Sequence, residues 1–323
     1  MLQIAIFHSD RFTTPELAPL REQLASLGKV SYFPFLAETP EKLKQYAAGA
    51  DCIVMDDVAL TEDHLPDFPK LKLISLLGTG FDTIDREAMR RHGITVCNTP
   101  NYGTENVAQH TVALLFALAH RIGEQYHLIQ SQGWPAVRAG IIEQFPIQEI
   151  QGKTFGFLSY GLIARRVQEM LSGFQLRFIA SSSRSATDLE EHGVEKVDLE
   201  TLFANSDILS IHSRSSPANH QIVSAKLLAL MKPTSLLINT ARGNLIDEQA
   251  LATALANHQL TGAALDVLSP EPPQPECPLL KAPNCILTPH IAWNSLPACE
   301  RLAHESYQNI KAFLEGSPQN VVN

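Results

Sequence analysis

Residues 153–184 constrain this chain more than any other stretch. They open with an apolar run, Phe155-Gly156-Phe157-Leu158, too short for a helix and rich in the aromatic and aliphatic residues of a buried strand. Ser159-Tyr160-Gly161-Leu162-Ile163-Ala164 then leads into a helical pattern, Val167, Met170 and Leu171, that ends at Gly173, and a second apolar run, residues 176–180, comes at once. Strand, tight turn, helix and strand within about thirty residues make the start of a Rossmann unit, whose helix N-terminus offers unpaired N–H groups to a pyrophosphate. Against the pattern G-x-G-x-x-G/A the turn reads Ser159-x-Gly161-x-x-Ala164, so the middle glycine is present, the third position is the tolerated alanine, and the first is serine. If position 159 needs a glycine-like φ, serine costs roughly 1 kcal/mol there. Taken alone, such a turn also fits a βα corner that holds no ligand.

The 323 residues exceed one ordinary domain and suffice for two, each with its own core. A formal charge of −9 argues against a nucleic-acid or anionic-membrane surface, so an anionic ligand must be held by local donors. The longest apolar stretch, residues 112–119, is too short to span a bilayer, and residues 1–10 lack a basic start and a cleavable apolar core. These features predict a cytoplasmic protein. Cys52, Cys97, Cys277, Cys285 and Cys299 are scattered and never in C-x-x-C spacing, which predicts reduced, mostly buried thiols and neither a disulfide framework nor a metal site.

From the start, short apolar runs alternate with helical patterns: strands at 4–7, 30–33, 52–55, 73–77 and 94–97, and helices at 15–27, 41–48 and 85–92. This is the pattern of a parallel α/β sheet. Leu77-Gly78-Thr79-Gly80-Phe81-Asp82 comes directly after a strand, and its glycines allow backbone N–H groups to face a small anion such as a carboxylate; a plain glycine turn is the alternative. Residues 104–120 form a helix, apolar almost all round, with Thr104 as N-cap, and so should be buried between domains. Residues 123–150, with Trp134, Pro135, Phe145 and Pro146, lose clear periodicity and read as an excursion suited to a subunit contact. The alternation then resumes, with strands at 194–197, 208–211, 236–239, 263–267 and 285–287. Helices at 199–204, 225–231 and 248–256 are capped by Asp198, Ser224 and Asp247. A last helix, 299–314, stops at Gly316, with Val321-Val322 trailing off it. The fold class is α/β, with two doubly wound parallel sheets of which the second holds the cofactor turn.

Ligands of open α/β sheets bind beyond the carboxyl ends of the strands. Arg242 lies three residues after the strand 236–239, Asp266 in the strand 263–267 with Glu271 in the proline-rich loop after it, and His290 directly after Leu287-Thr288-Pro289. Three successive strands thus aim a guanidinium, a carboxylate and an imidazole at one rim. That set suits hydride transfer to a 2-oxo acid. The guanidinium holds the substrate carboxylate and polarises the ketone, and the imidazolium protonates the developing alkoxide. A carboxylate beside the imidazole favours its protonated form. Singly, Arg242 also fits a helix-cap or ion-pair role, Glu271 a solvated loop charge, and His290 a satisfied core histidine.

Leu77-Gly78-Thr79-Gly80, Asn106-Val107-Ala108-Gln109-His110-Thr111, Met231-Lys232-Pro233, Ile238-Asn239-Thr240-Ala241-Arg242-Gly243, Leu265-Asp266-Val267-Leu268-Ser269-Pro270-Glu271-Pro272 and Thr288-Pro289-His290-Ile291-Ala292-Trp293 occur in this order. With them the chain resembles the D-isomer-specific 2-hydroxyacid dehydrogenase family over nearly its whole length, and most of all its glycerate dehydrogenase, or hydroxypyruvate reductase, branch. The resemblance implies that Arg242 binds substrate, that Glu271 pairs with His290, and that His290 is the acid/base. It also implies that the Gly78 and Thr79 amides take the substrate carboxylate and that Asp266 contacts the nicotinamide carboxamide. The cofactor set expected from the turn, the loops beyond the strands and the resemblance together is Thr104, Ser159, Tyr160, Gly161, Leu162, Ile163, Ser182, Ser183, Arg184, His212, Arg214, Thr240 and Asp266, around NAD(P)H. Residues 1–101 plus 293–323 would be the substrate domain and 102–292 the inserted cofactor domain, with substrate in the cleft and Phe81 and Trp293 bounding its pocket. A homodimer built on the buried helix and the excursion after it is implied as well.

Two departures fall on the cofactor side. The acidic residue expected after the second strand of the unit is missing, and Ala180-Ser181-Ser182-Ser183-Arg184-Ser185 stands there, resembling the loops of NADPH-using relatives. A charge-assisted contact from Arg184 to a 2′-phosphate, roughly 1.5 to 3 kcal/mol, corresponds to about a ten- to hundredfold preference. A merely exposed arginine is the alternative. Further on, His212-Ser213-Arg214-Ser215-Ser216 replaces the usual apolar-proline-leucine run of the adenine pocket, leaving Arg214 to stack on adenine, join the phosphate site or stay solvated. The leading expectation is reduction of hydroxypyruvate, and of glyoxylate, to the D-2-hydroxy acid. Formate or phosphite oxidation fits less well, because Glu271 stands where formate dehydrogenases of this superfamily carry glutamine. Phosphoglycerate dehydrogenation lacks a regulatory domain after residue 323, and a nucleotide-sensing scaffold lacks an appended partner-binding tail.

Overall fold

Short runs of apolar residues flanked by helices have one economical solution, a parallel sheet covered on both faces, and the chain builds it twice. The computed structural model describes residues 2–12, 14–56, 58–134 and 146–323. The chain divides into two compact units, Met1–Gly103 with Asn294–Asn323, and Thr104–Trp293.

The first unit is a five-stranded parallel sheet of β1 (Leu2–Phe7), β2 (Gly28–Phe33), β3 (Cys52–Met55), β4 (Leu73–Leu76) and β5 (Thr95–Cys97), ordered β2-β1-β3-β4-β5. This is the flavodoxin-like order. Every residue of β3 and β4 is buried, as strands covered on both faces must be. The final helix, Leu296–Leu314, starts three residues before the sequence expectation of 299, because Ser295 accepts from the Ala298 N–H and Pro297 suits a first turn that has no use for its missing donor. Val321 and Val322 do not trail off that helix. Val322 donates to the Val96 carbonyl at 2.9 Å and Val321 bridges to Cys97.

The second unit has seven parallel strands: β6 (Thr154–Leu158), β7 (Arg177–Ser181), β8 (Val194–Lys196), β9 (Ile208–Ile211), β10 (Leu236–Asn239), β11 (Gly262–Leu265) and β12 (Cys285–Leu287). Their order is β12-β11-β10-β9-β6-β7-β8, so the strand order reverses between β6 and β9, the switch point where Rossmann folds bind dinucleotides. Glycine at 156 in β6 is needed for packing, since a Cβ there would sit 2.0 Å from Ser206 Oγ.

Several sequence expectations are corrected. Asp266 is not in a strand, because β11 ends at Leu265. Thr104 is the first residue of the helix Thr104–Ala119 rather than its cap. Ser224 makes no capping bond, and the helix it precedes covers only Ala225–Leu228. Ile122–Gln132 is a helix, not an irregular excursion. Ile122, Tyr126 and Ile129 recur at i, i+4 and i+7 with Leu128 off that stripe, and none of the four is buried within the chain. Pro135 and Phe145 lie outside the described residues.

Candidate active site

The loop after β10 is shaped by a buried asparagine. Asn239 accepts from the Ala241 N–H at 2.9 Å and donates to the Arg242 carbonyl at 2.8 Å, which sets Arg242 in extended backbone at the strand's carboxyl end. Gly243 then passes so close to Leu268 that a Cβ would lie 2.1 Å from its carbonyl carbon and oxygen. Leu268 in turn donates its N–H to Glu271 Oε1 at 2.9 Å, and Glu271 Oε2 meets His290 Nδ1 at 2.6 Å.

His290 has φ 52, a left-handed conformation that costs a non-glycine residue about 1–2 kcal/mol. It is held by its own N–H to the Asp266 and Thr288 carbonyls, at 2.8 and 3.0 Å, and by Trp293 Nε1 donating to its carbonyl at 2.9 Å. Burial works against a charged ring. The Glu271 hydrogen bond and charge outweigh it, and the net effect of all neighbours, including an opposing Arg242 and a favourable Asp266, raises the His290 pKa above that of a free imidazole. With Nδ1 on Glu271, the transferable proton sits on Nε2.

Asp266 is 1% exposed. Burial pushes its pKa up, but hydrogen bonds from His110, Thr288 and the Ile291 and Ala292 N–H groups outweigh this and keep it a carboxylate. Those bonds, at 2.5 Å from Thr288, 3.0 Å from Ile291 and 2.8 Å from Ala292, tie down the loop that carries His290. The helix Thr104–Ala119 grips the same loop. Asn106 donates to the Ala292 carbonyl at 2.6 Å, and His110 Nε2 lies 3.1 Å from Thr288 Oγ1 and 3.5 Å from Asp266 Oδ1. Thr111 meets Thr240 at 2.9 Å, holding the Arg242 loop as well. The motif Asn106 to Thr111 carries a sequence signal for this grip, the i, i+4 pair Asn106 and His110 on a helix whose buried side chains are mostly apolar.

At the switch point, Ser159 adopts φ 71, so its turn does require the glycine-like conformation. Gly161 is the N-cap of the helix Leu162–Met170 and offers no side-chain cap, and a Cβ on it would project into open space. This uncapped turn, with free space before it, fits a pyrophosphate. Tyr160 is buried, with its hydroxyl donating to Gln168, while Leu162 is exposed and Ile163 half-buried. Beyond β7, Ser182 accepts from the Arg184 N–H at 3.3 Å, and Ser183 is exposed. Arg184 donates Nε to the Tyr160 carbonyl and Nη1 to Asp188, each at 2.7 Å. Its guanidinium therefore stands at the phosphate turn but is already ion-paired. His212 Nε2 meets Ser210 at 2.9 Å, and burial drives the ring's pKa down to about 3, leaving it neutral; Arg214 is exposed.

In the first unit, the loop after β4 is braced by Thr79 Oγ1 donating to the Thr99 and Pro100 carbonyls and by Asn98 donating to the Thr79 carbonyl at 2.8 Å. Phe81 carries the Arg86 guanidinium 4.9 Å above its ring. Among the described residues no group of three His, Cys, Asp or Glu side chains is placed to hold a metal ion, all five cysteines are free thiols, and no helix is long and apolar enough to cross a membrane.

A seven-stranded sheet with a dinucleotide turn, and an imidazole–carboxylate pair near a guanidinium at the same rim, define a nicotinamide-dependent dehydrogenase of hydroxy acids. Residues 112–292 match the family model for the NAD-binding domain of D-isomer-specific 2-hydroxyacid dehydrogenases. The chain is 35% identical over 286 residues to the glycerate dehydrogenase of Methylorubrum extorquens, covering 88% of this chain and 89% of that one. It is 38% identical over 264 residues to the glyoxylate reductase of Aeropyrum pernix, covering 81% and 79%. Among solved structures, an acyclic imino acid reductase (Bsp5) in complex with NADPH and D-Arg superposes with a TM-score of 0.87 at 29% identity over the whole of both chains. The chain belongs to the D-isomer-specific 2-hydroxyacid dehydrogenase family.

Proposed function

We propose that this protein reduces small 2-oxo acids, hydroxypyruvate and also glyoxylate, to the D-2-hydroxy acids. The observation that carries the reading is the 2.6 Å contact between His290 Nδ1 and Glu271 Oε2 at the rim that also bears Arg242. The bound nicotinamide cofactor supplies the hydride. His290 Nε2 gives its proton to the ketone oxygen as charge develops there, and Glu271 stabilises the imidazolium before transfer and fixes its orientation. Arg242 holds the substrate carboxylate. Asp266 keeps the His290 loop in place, and with the cofactor bound it would face the nicotinamide carboxamide. The names of the relatives in Methylorubrum and Aeropyrum support this substrate class.

The cofactor reading is NADPH ahead of NADH. It is supported by Arg184 at the phosphate turn, by the serines beside it in place of an acid, and by the NADPH in the Bsp5 structure. The working form is a homodimer. Its support is the unburied stripe of Ile122, Tyr126 and Ile129, continued by Trp134 at 71% exposure, an apolar surface that calls for a partner. Nicotinamide oxidation by the purified protein with hydroxypyruvate and glyoxylate, NADPH and NADH in parallel, tests the whole. Turnover with NADPH leading is expected. An NADH preference removes the cofactor reading alone, and no turnover with either acid removes the substrate class.

A further inference from the structure

Two guanidinium groups meet one carboxylate beside the loop after β7. Arg184 Nη1 lies 2.7 Å from Asp188 Oδ2, and Arg165 Nη2 lies 3.4 Å from the other oxygen, Oδ1. Arg165 stacks its guanidinium over the Tyr160 ring, 5.8 Å from the centroid, and Lys196 donates to the Arg184 carbonyl at 2.5 Å. Arg184, Asp188 and Arg165 are all solvent-accessible, at 37%, 33% and 27%. None of this is needed to build the fold, since exposed pairs add little stability. What it does is neutralise a guanidinium at the turn where a dinucleotide's adenosine end must lie.

We propose that Asp188 sets the choice between the two nicotinamide nucleotides: by pairing with Arg184 and Arg165 it weakens the site for a ribose 2′-phosphate and keeps it open to the unphosphorylated ribose. The inference rests on the reading that Arg184 meets the 2′-phosphate. Arg184 is anchored from its other side, through Nε to the Tyr160 carbonyl, so losing the Asp188 contact leaves the guanidinium in place and changes mainly its charge balance. Asp188 remains ionised because the Arg184 hydrogen bond holds its pKa low, and a dianion entering the site meets its repulsion directly. A ribose 2′-hydroxyl carries no charge and meets no such penalty. Replacing the carboxylate releases two guanidinium groups at once, with Lys196 beside them.

The test is binding, measured by nicotinamide fluorescence, of NADPH and NADH to the wild type, Asp188→Asn, Arg184→Gln and the double variant, with thermal melting to confirm folding. Asp188→Asn should tighten NADPH by about three- to tenfold, the size of one charge acting on a dianion through screened, water-like surroundings, and leave NADH within twofold. The gain should vanish in the double variant and shrink in high salt. An unchanged NADPH to NADH ratio in Asp188→Asn, with Arg184→Gln still weakening NADPH, overturns the inference and leaves the reading of Arg184 standing. If Arg184→Gln leaves the ratio unchanged, that reading falls and the inference with it. 2′,5′-ADP against 5′-ADP repeats the comparison without the nicotinamide.

Discussion

Glycine at 243 is where the two arms of the site lean on each other, and Gly243→Ala measures how much depends on that contact. The new Cβ would stand 2.1 Å from the Leu268 carbonyl carbon and oxygen and 2.6 Å from its Cα. Ordinary contact starts at 3.4 Å, so the two backbones must part by about 1.3 Å, and neither has a flexible side-chain end to swing away. On one side the movement reaches Arg242, the preceding residue. On the other it reaches Leu268, whose N–H is held by Glu271 at 2.9 Å, and through Glu271 the imidazole of His290 at 2.6 Å. Overpacking of this kind costs about 1–3 kcal/mol, and misplacing reacting groups by about 1 Å costs on the order of a hundredfold in rate. We expect the melting temperature to fall by about 2–10 °C and kcat/KM for a 2-oxo acid to fall about a hundredfold. Nucleotide affinity should hold, because the turn at Ser159–Ile163 belongs to β6, two strands away. A variant that melts within 1 °C of the wild type and keeps kcat/KM within threefold would show that the close approach of the two loops does not position the site.

The same geometry sets three other outcomes. Glu271→Gln removes the charge that raises the His290 pKa; reduction needs the imidazolium, which exists below that pKa, so the decline of kcat/KM with rising pH should begin at a lower pH than in the wild type, and an unshifted profile would contradict the pairing. Asn106→Ala and His110→Ala each remove a tie on the His290 loop, with a loss of about 0.5–1.5 kcal/mol in stability and a fall in kcat rather than in nucleotide affinity; a change confined to nucleotide binding would argue against the tie. Ser159→Gly relieves a left-handed serine but loosens the unfolded chain, so thermal melting should show a net gain of up to about 1 kcal/mol, and a loss would mean that the hydroxyl contributes more than the strain costs.

The central strands of both sheets were legible because strands buried on both faces, such as β3, β4, β9 and β10, are short and mostly apolar, and Arg242 and His290 were legible because each lies within three residues of a strand's carboxyl end, where open α/β sheets bind their ligands. The helix Ile122–Gln132 was not, since four apolar residues scattered among polar ones, with Gly123 in the first turn, give only a weak helical pattern. Nor was the grip of Asn106 and His110 on a loop some 180 residues away, because composition and spacing carry no information about which distant carbonyl a polar side chain will meet. Asp266 was expected in a strand and for a single contact; in the structure its oxygens are occupied with holding residues 288–292, a duty set by the path of the loop after β12. Arg184 was found from the missing acid in its loop. Its partner Asp188, four residues on, was missed because the short helix Ala186–Glu190 that brings them together has no periodic signal of its own.

The central claim is that His290 is the acid of a 2-oxo acid reductase, and the most direct measurement is kcat of His290→Ala with hydroxypyruvate beside its NADPH dissociation constant. General acid catalysis by a positioned side chain is worth about 10²- to 10⁴-fold, so kcat should fall by that factor while the dissociation constant stays within about threefold of the wild type. A variant that binds NADPH normally and turns over hydroxypyruvate at the wild-type rate would contradict the mechanism at its centre.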